Sequence, residues 1–352
     1  MAEGDIVLRK DLILITGANG FIGKRVVNSL LSHGFQNLRC MVRPTSDHTA
    51  LNDILDQYPD ARTQILKGDL RKPEDCVKAC NGVCLVYHLA VNPDKSFPGA
   101  VLNSVVPTRN LLDAIIKERT VKRILNTSTF AIYSNVDMRR GSPLDELSPT
   151  EEKLIERYEP YAYAKMRQEE LVHDYGEKYG LNHVTVRPGV VYGPGVVSLS
   201  PRVGIDTFGV FFHIGGKNRI PLTYVDNCAD AIVLAGLKRG IDGAIYNIVD
   251  DDLPTSREFL KRFKASYGHF RSIRVPYSIF YFLSFLWENY SRWSHNQLPP
   301  VFNRRRASAY WKGNRYSNAK LKSEVGWEPA IPYEEASRLY FENVKQAGGS
   351  GD

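Results

Sequence analysis

One rhythm restricts the fold more than any other feature of this chain. Through its first half, short runs rich in β-branched and large apolar residues alternate with segments of helical pattern. Leu12–Thr16, Leu38–Val42, Thr63–Leu66, Val83–Leu89, Arg123–Ser128 and Val184–Arg187 read as strands. Phe21–His33, Ala50–Gln57, Pro73–Cys80, Val101–Arg119 and Tyr161–Tyr179 read as helices between them. Parallel strands need crossovers of about this length, so the pattern predicts an α/β fold with a doubly wound parallel sheet. Ser148-Pro149-Thr150-Glu151 has capping-box spacing and predicts one more helix start.

After Pro188 the texture changes. Glycine and proline cluster, aromatics become dense, and strands are harder to place. The expected division is a first lobe over 1–190 and a smaller, mixed C-terminal substrate lobe over 191–346. Residues 225–250 should return to the first lobe, because Ala229–Lys238 reads as a helix and Ala244–Val249 as a strand. Residues 347–352, which contain the run Gly348-Gly-Ser-Gly351, read as a disordered tail.

With 43% hydrophobic and 24% charged residues over 352 positions, the chain can bury a large core. The N-terminus opens with acids, and the longest apolar run, Ile279–Trp287, is far short of the about 20 residues that cross a bilayer. The expectation is a cytoplasmic protein, with peripheral membrane contact as an option. Five cysteines in such a chain fit a reducing compartment. Asn81-Gly82 breaks the run of Cys76, Cys80 and Cys84, so no metal site is expected. The formal charge of +7 is uneven: Asn289–Ser323 holds no acid but carries Arg304, Arg305 and Arg306. Such a block suits an anionic partner as well as it suits a solvated face. No recognised nucleic-acid motif accompanies it, so a small anionic substrate is expected and nucleic acid is not.

Thr16-Gly17-Ala18-Asn19-Gly20-Phe21-Ile22-Gly23 stands where the first strand meets the first helix. Glycines there allow a tight turn and close approach to a pyrophosphate, and the helix N-terminus offers free N–H groups. An acid usually follows the glycines by about 20 residues and holds the ribose 2′-hydroxyl of NAD. Here that place is taken by Arg43, and Asp47 lies further into the loop. A guanidinium grips a 2′-phosphate that a carboxylate repels, so NADP is expected ahead of NAD.

Tyr161 and Lys165 stand four apart, on one helical face. Spacing alone is weak, since Tyr316 and Lys320 match it too. The first pair is credible because it follows the fifth strand at a suitable interval. A phenol ionises near 10 and needs a cation to act as a base near neutrality.

These residues together resemble the extended branch of the short-chain dehydrogenase/reductase superfamily, of NAD-dependent epimerase/dehydratase type. The resemblance runs from about Asp11 to Val344 and implies a Rossmann-like fold and a homodimer. It places Gly17, Gly20, Phe21, Ile22, Gly23, Arg43, Asp69, Leu70, Leu89, Ala90, Tyr161, Lys165, Pro188 and Val190 at the cofactor. It implies a catalytic trio of Tyr161, Lys165 and Thr129, with Ser128 as the fallback for Thr129. It places Asn92, Ser128, Phe130, Tyr192 and the three arginines at the substrate. Dehydratases of this branch follow the threonine with Asp-Glu; Phe130-Ala131 here argues against dehydration.

The implied activity is NAD(P)-dependent hydride transfer at a secondary alcohol or ketone, with a nucleotide-linked sugar expected first because of the basic block. The alternative is a 3β-hydroxysterol or other apolar alcohol dehydrogenase, with the aromatic helix near 276–287 as lid or membrane contact. A non-catalytic cofactor sensor is the third option, and the intact tyrosine–lysine pair speaks against it.

Overall fold

The structure, a computed structural model, describes residues 4–207, 209–295 and 297–348. Seven parallel strands form the central sheet in the order β12-β7-β5-β4-β1-β2-β3. Its first half contains β1 (Ile13–Thr16), α1 (Phe21–Ser32), β2 (Asn37–Val42), α2 (Thr49–Leu55), β3 (Arg62–Lys67), α3 (Pro73–Cys80) and β4 (Leu85–His88). Then come α4 (Phe97–Ala100), α5 (Val106–Glu118), β5 (Arg123–Thr127), β6 (Pro143–Leu144), α6 (Pro160–Tyr179) and β7 (His183–Pro188). β1, β4 and β5 are buried along their whole length, as strands covered by helices on both faces must be.

The remaining elements are β8 (Val190–Tyr192), β9 (Gly204–Thr207), β10 (Val210–His213), β11 (Leu222–Tyr224), α7 (Val225–Leu237), β12 (Ile245–Ile248), α8 (Ser256–Tyr267), β13 (Ser272–Arg274), α9 (Tyr277–Trp293), α10 (Arg304–Trp311), β14 (Arg315–Tyr316), α11 (Ala319–Val325) and α12 (Tyr333–Gly348). Small sheets β13-β10-β9, β11-β8 and β14-β6 assemble here. α7 packs on α1, and β12 completes the central sheet beside β7. A second apolar cluster, rich in aromatics, joins Tyr192, Tyr224, Phe259 and Tyr340.

Three sequence expectations are corrected. No helix starts at Ser148. Ser148 Oγ accepts from Asp145 N at 3.0 Å, and the Glu151 backbone N–H donates to Ile132 O at 2.8 Å. The Glu151 carboxylate is buried and paired with Arg305 at 2.9 Å. Tertiary partners thus take the groups that a capping box would use. The helix expected to begin at Val101 begins at Phe97 and passes through a π-helical turn, Val101–Val105, before α5. Pro107 lies just beyond; with no N–H to give and a ring that crowds the preceding turn, it favours the wider winding. Finally, α12 reaches Gly348, so residues 347 and 348 are helical rather than tail; 349–352 lie outside the described residues.

Candidate active site

The strand order reverses between β1 and β4, and the cleft opens at the carboxyl ends of the parallel strands there, where open α/β sheets receive ligands. It encloses about 510 Å³. β1, β2, β3, β4, β5 and β7 each end at its wall, contributing Gly17, Arg43, Asp69, Leu89, Ser128 and Pro188 among others. Tyr161 and Lys165 reach it from α6.

The glycine loop has no room for side chains. Gly17 holds φ +71°, and a Cβ there would lie 2.9 Å from the Ala90 backbone. A Cβ on Gly23 would lie 2.1 Å from Gly17 O. The loop therefore packs against the end of β4, and the first turn of α1 lines the cleft with no side chain capping its N–H groups. This cradle fits the pyrophosphate of a nicotinamide dinucleotide. Beside it, Thr127 Oγ1 and Ser128 Oγ are buried with no hydrogen-bond partner among the described residues. Both residues line the cleft, so their hydroxyls are available to a bound molecule.

Lys165 is buried and donates to Thr127 O at 2.8 Å. Burial depresses its ammonium to about 8, opposed by the neighbouring Glu169 carboxylate. Burial also raises the Tyr161 phenol, while a hydrogen bond with Thr129 pulls the other way. Thr129 Oγ1 in turn accepts from Ala131 N at 3.2 Å. Without cofactor, the phenol thus holds its proton more firmly than a free tyrosine.

Two residues that the sequence did not single out, Asn103 and Pro107, complete the wall beside the π-helical turn. Their only sequence signal is a proline inside a helical pattern. His88 falls within the expected strand Val83–Leu89 with nothing in the sequence to single it out, but it organises the site from behind. It is buried; Nδ1 meets Thr16 Oγ1 at 2.8 Å and Nε2 meets Thr108 Oγ1 at 2.9 Å. Thr108 gives its hydroxyl proton to Ser104 O at 2.8 Å, so Nε2 must donate and Nδ1 must accept from Thr16. Gln168, one turn beyond Lys165 on α6, also donates to Thr108 Oγ1, at 2.6 Å. One neutral imidazole thereby ties β1, β4, α5 and the helix of Tyr161 together.

Most expected residues meet in this cleft: Gly17, Gly20, Phe21, Ile22, Gly23, Arg43, Asp69, Leu70, Leu89, Ala90, Asn92, Ser128, Thr129, Tyr161, Lys165 and Pro188. The others do not. Val190 packs into the second apolar cluster, and the wall is made by Gly189 and Val191. Tyr192 and Phe130 are buried in aromatic contacts with Tyr224 and Tyr133 respectively, away from the cleft lining. Arg304 pairs with Glu288 at 2.9 Å, Arg305 with Glu151 at 2.9 Å, and Arg306 donates to Val301 O at 3.2 Å. The basic block is acid-free only along the chain; in space, acids from other segments meet it, and its three arginines leave the cleft unlined. Tyr316 and Lys320 do not form a second pair: the tyrosine hydroxyl faces Arg202, and the lysine caps Ile245 O.

The NAD dependent epimerase/dehydratase family matches residues 13–248. The chain belongs to that family, and it is an NAD(P)-dependent oxidoreductase or epimerase by class. Across 92% of its length it is 26% identical to a sterol-4-alpha-carboxylate 3-dehydrogenase, decarboxylating, of Mus musculus, covering 88% of that protein. It is 27% identical to 3beta-hydroxysteroid-dehydrogenase/decarboxylase isoform 2 of Arabidopsis thaliana, of which the match covers 60%. Its fold is similar to that of UDP-glucuronic acid 4-epimerase from Bacillus cereus, solved with NAD, at a TM-score of 0.68 and 20% identity over 96% of this chain and 99% of that one.

Proposed function

We propose that this protein is an NADP-preferring dehydrogenase that interconverts a secondary alcohol and its ketone on an apolar, sterol-like substrate. The observation that carries the reaction is the convergence of Tyr161, Lys165 and Thr129 on the cleft wall facing the glycine loop. Gly17, Gly20 and Gly23 would seat the pyrophosphate, and the nicotinamide would supply the hydride acceptor. Tyr161 Oη takes the proton of the substrate hydroxyl as the carbinol carbon gives up its hydride, which leaves the ketone. Thr129 orients the reacting oxygen and Lys165 stabilises the phenolate. Lowering the phenol by about 3 units takes about 4 kcal/mol. A lysine that titrates at about 8 is still mostly an ammonium at neutral pH and supplies part of that.

Arg43 supports NADP. It is exposed at the end of β2 on the cleft rim. The nearby Asp47 is spent on α2, accepting from Thr49 N at 3.0 Å and Thr49 Oγ1 at 2.7 Å. Asp47 does not line the cleft, whereas Arg43 does. Phe130 and Ala131 offer no acid–base pair for elimination, so dehydration is not proposed. The sterol-like substrate is supported by the two sterol enzymes aligned along most of the chain, and by the arginines that a pyrophosphate-linked sugar would need being engaged elsewhere.

The test supplies NADP with a 3β-hydroxysterol, a 4-carboxylated 3β-hydroxysterol and UDP-sugars, using the parent and Tyr161→Phe. Sterol oxidation lost in the variant, with cofactor binding retained, is expected. Turnover of UDP-sugars alone would replace this reading with an epimerase.

A further inference from the structure

We propose that α9 docks the protein on an anionic membrane surface. The helix has two apolar sides. Its inner side packs on α10 and the segment before it, with Phe280 edge-on to Trp311 at 5.0 Å and Trp287 against Phe302 at 5.9 Å. Its outer side carries Ile279, Phe282, Leu283, Leu286, Tyr290 and Trp293 at helical spacing, exposed by 47% at Leu286 and up to 76% at Trp293. Single exposed apolar residues are ordinary, but six in one stripe on a 17-residue helix, about 25 Å long, are not. None of them lines the cleft. No described helix is long and apolar enough to cross a membrane, so α9 would lie on the surface, not span it.

Charge selects the occupant. Between Glu258 and Glu324 the chain contains a single acid, Glu288. Its side chain is only 13% exposed and is held by Arg304 at 2.9 Å and Arg292 at 3.5 Å. Arg271 and Arg274 just before the helix, and Arg292 in its last turn, are exposed. The stripe is thus uncharged, with cations at both ends, which complements a layer of acidic headgroups over acyl chains. Tyr290 and Trp293 bring the amphipathic rings that settle at such boundaries. A second copy fits less well. The Ile279–Leu286 part of the stripe has none of the hydrogen-bonding groups that a protein interface spaces at about one per 100–200 Å². A two-fold antiparallel pairing would also bring Arg271 and Arg274 of one copy toward Arg292 of the other.

The experiment is co-sedimentation of the full chain with phosphatidylcholine vesicles, with and without phosphatidylserine. The parent should bind the serine-containing vesicles on the order of tenfold or more tightly than the neutral ones. Phe282→Gln with Leu286→Gln should weaken binding on the order of 100-fold. Arg271→Gln with Arg274→Gln should erase the preference for phosphatidylserine. Cofactor binding and melting temperature should match the parent in both variants; if the first variant misfolds, the second decides. No vesicle binding by the parent, or binding unchanged by either variant, overturns the proposal. So does a parent dimer that the Phe282/Leu286 change dissociates while vesicle binding persists.

Discussion

His88 and Arg43 show how single side chains set up the cleft from opposite sides. His88 is inaccessible, and burial drives its imidazole down to about 3. The unfolded chain takes up a proton near 6.5 that the folded chain refuses until about 3. Its contribution to stability is therefore full above 6.5 and is lost as pH falls toward 3, at about 1.4 kcal/mol per pH unit. His88→Gln, which keeps hydrogen-bonding capacity, should lower stability at neutral pH yet flatten its decline between pH 6.5 and 4, measured by urea denaturation across that range. His213, pushed down to about 4, adds a parallel decline that both proteins share. Arg43 acts through solvent-facing charge. Arg43→Asp should remove a charge-assisted contact of about 1.5–3 kcal/mol to a 2′-phosphate, shifting the NADP-to-NAD binding ratio tenfold or more. An unchanged ratio on titration would exclude the arginine from cofactor selection.

At the scale of elements, α10 is a hub between the catalytic helix and the outer layer. Asn303 at its N-terminus donates to Arg157 O at 2.9 Å, and the Tyr310 hydroxyl reaches Glu159, the residue preceding α6. The buried Arg157 guanidinium pairs with Glu159 at 2.6 Å and donates to Ala131 O at 2.8 Å. Through these contacts the loop of Thr129 and the start of the Tyr161 helix share one support. Arg305 clamps the same region by neutralising buried Glu151. Removing one partner of a buried pair leaves an uncompensated charge, and such losses reach about 3–5 kcal/mol. Arg305 is partly exposed and Glu151 keeps its Ser134 and Lys153 contacts, so Arg305→Ala should cost about 2 kcal/mol. Chemical denaturation reads that cost. KM should stay within twofold of the parent, whereas a substrate-binding arginine would raise KM and spare the fold.

The cleft belongs to the whole molecule, since its wall draws on the ends of six strands and on α6. A ligand that bridges so many elements binds only the folded state, so at 100 times its dissociation constant it adds about 2.7 kcal/mol of stability. NADP should raise the melting temperature of the parent more than NAD at equal concentration, and Arg43→Asp should reverse that order. Much of this was legible along the chain. The alternation from Leu12 to Arg187 specified the parallel sheet, because burial and crossover length are local constraints that each segment carries. The glycine loop and Tyr161–Lys165 were legible for the same reason: a tight turn and a four-residue helical repeat each need only neighbouring residues. What only the tertiary structure decided was where charge goes. Glu288 and Glu151 are distant or unremarkable in the sequence, yet folding sets them against Arg304 and Arg305 and leaves those cations off the cleft wall. It likewise turned the Ser148 capping box into a loop by offering Glu151 better partners, and withdrew Tyr192 and Phe130 into aromatic packing. Electrostatic pairing and burial depend on which segments meet, and that information exists only once the chain has closed on itself.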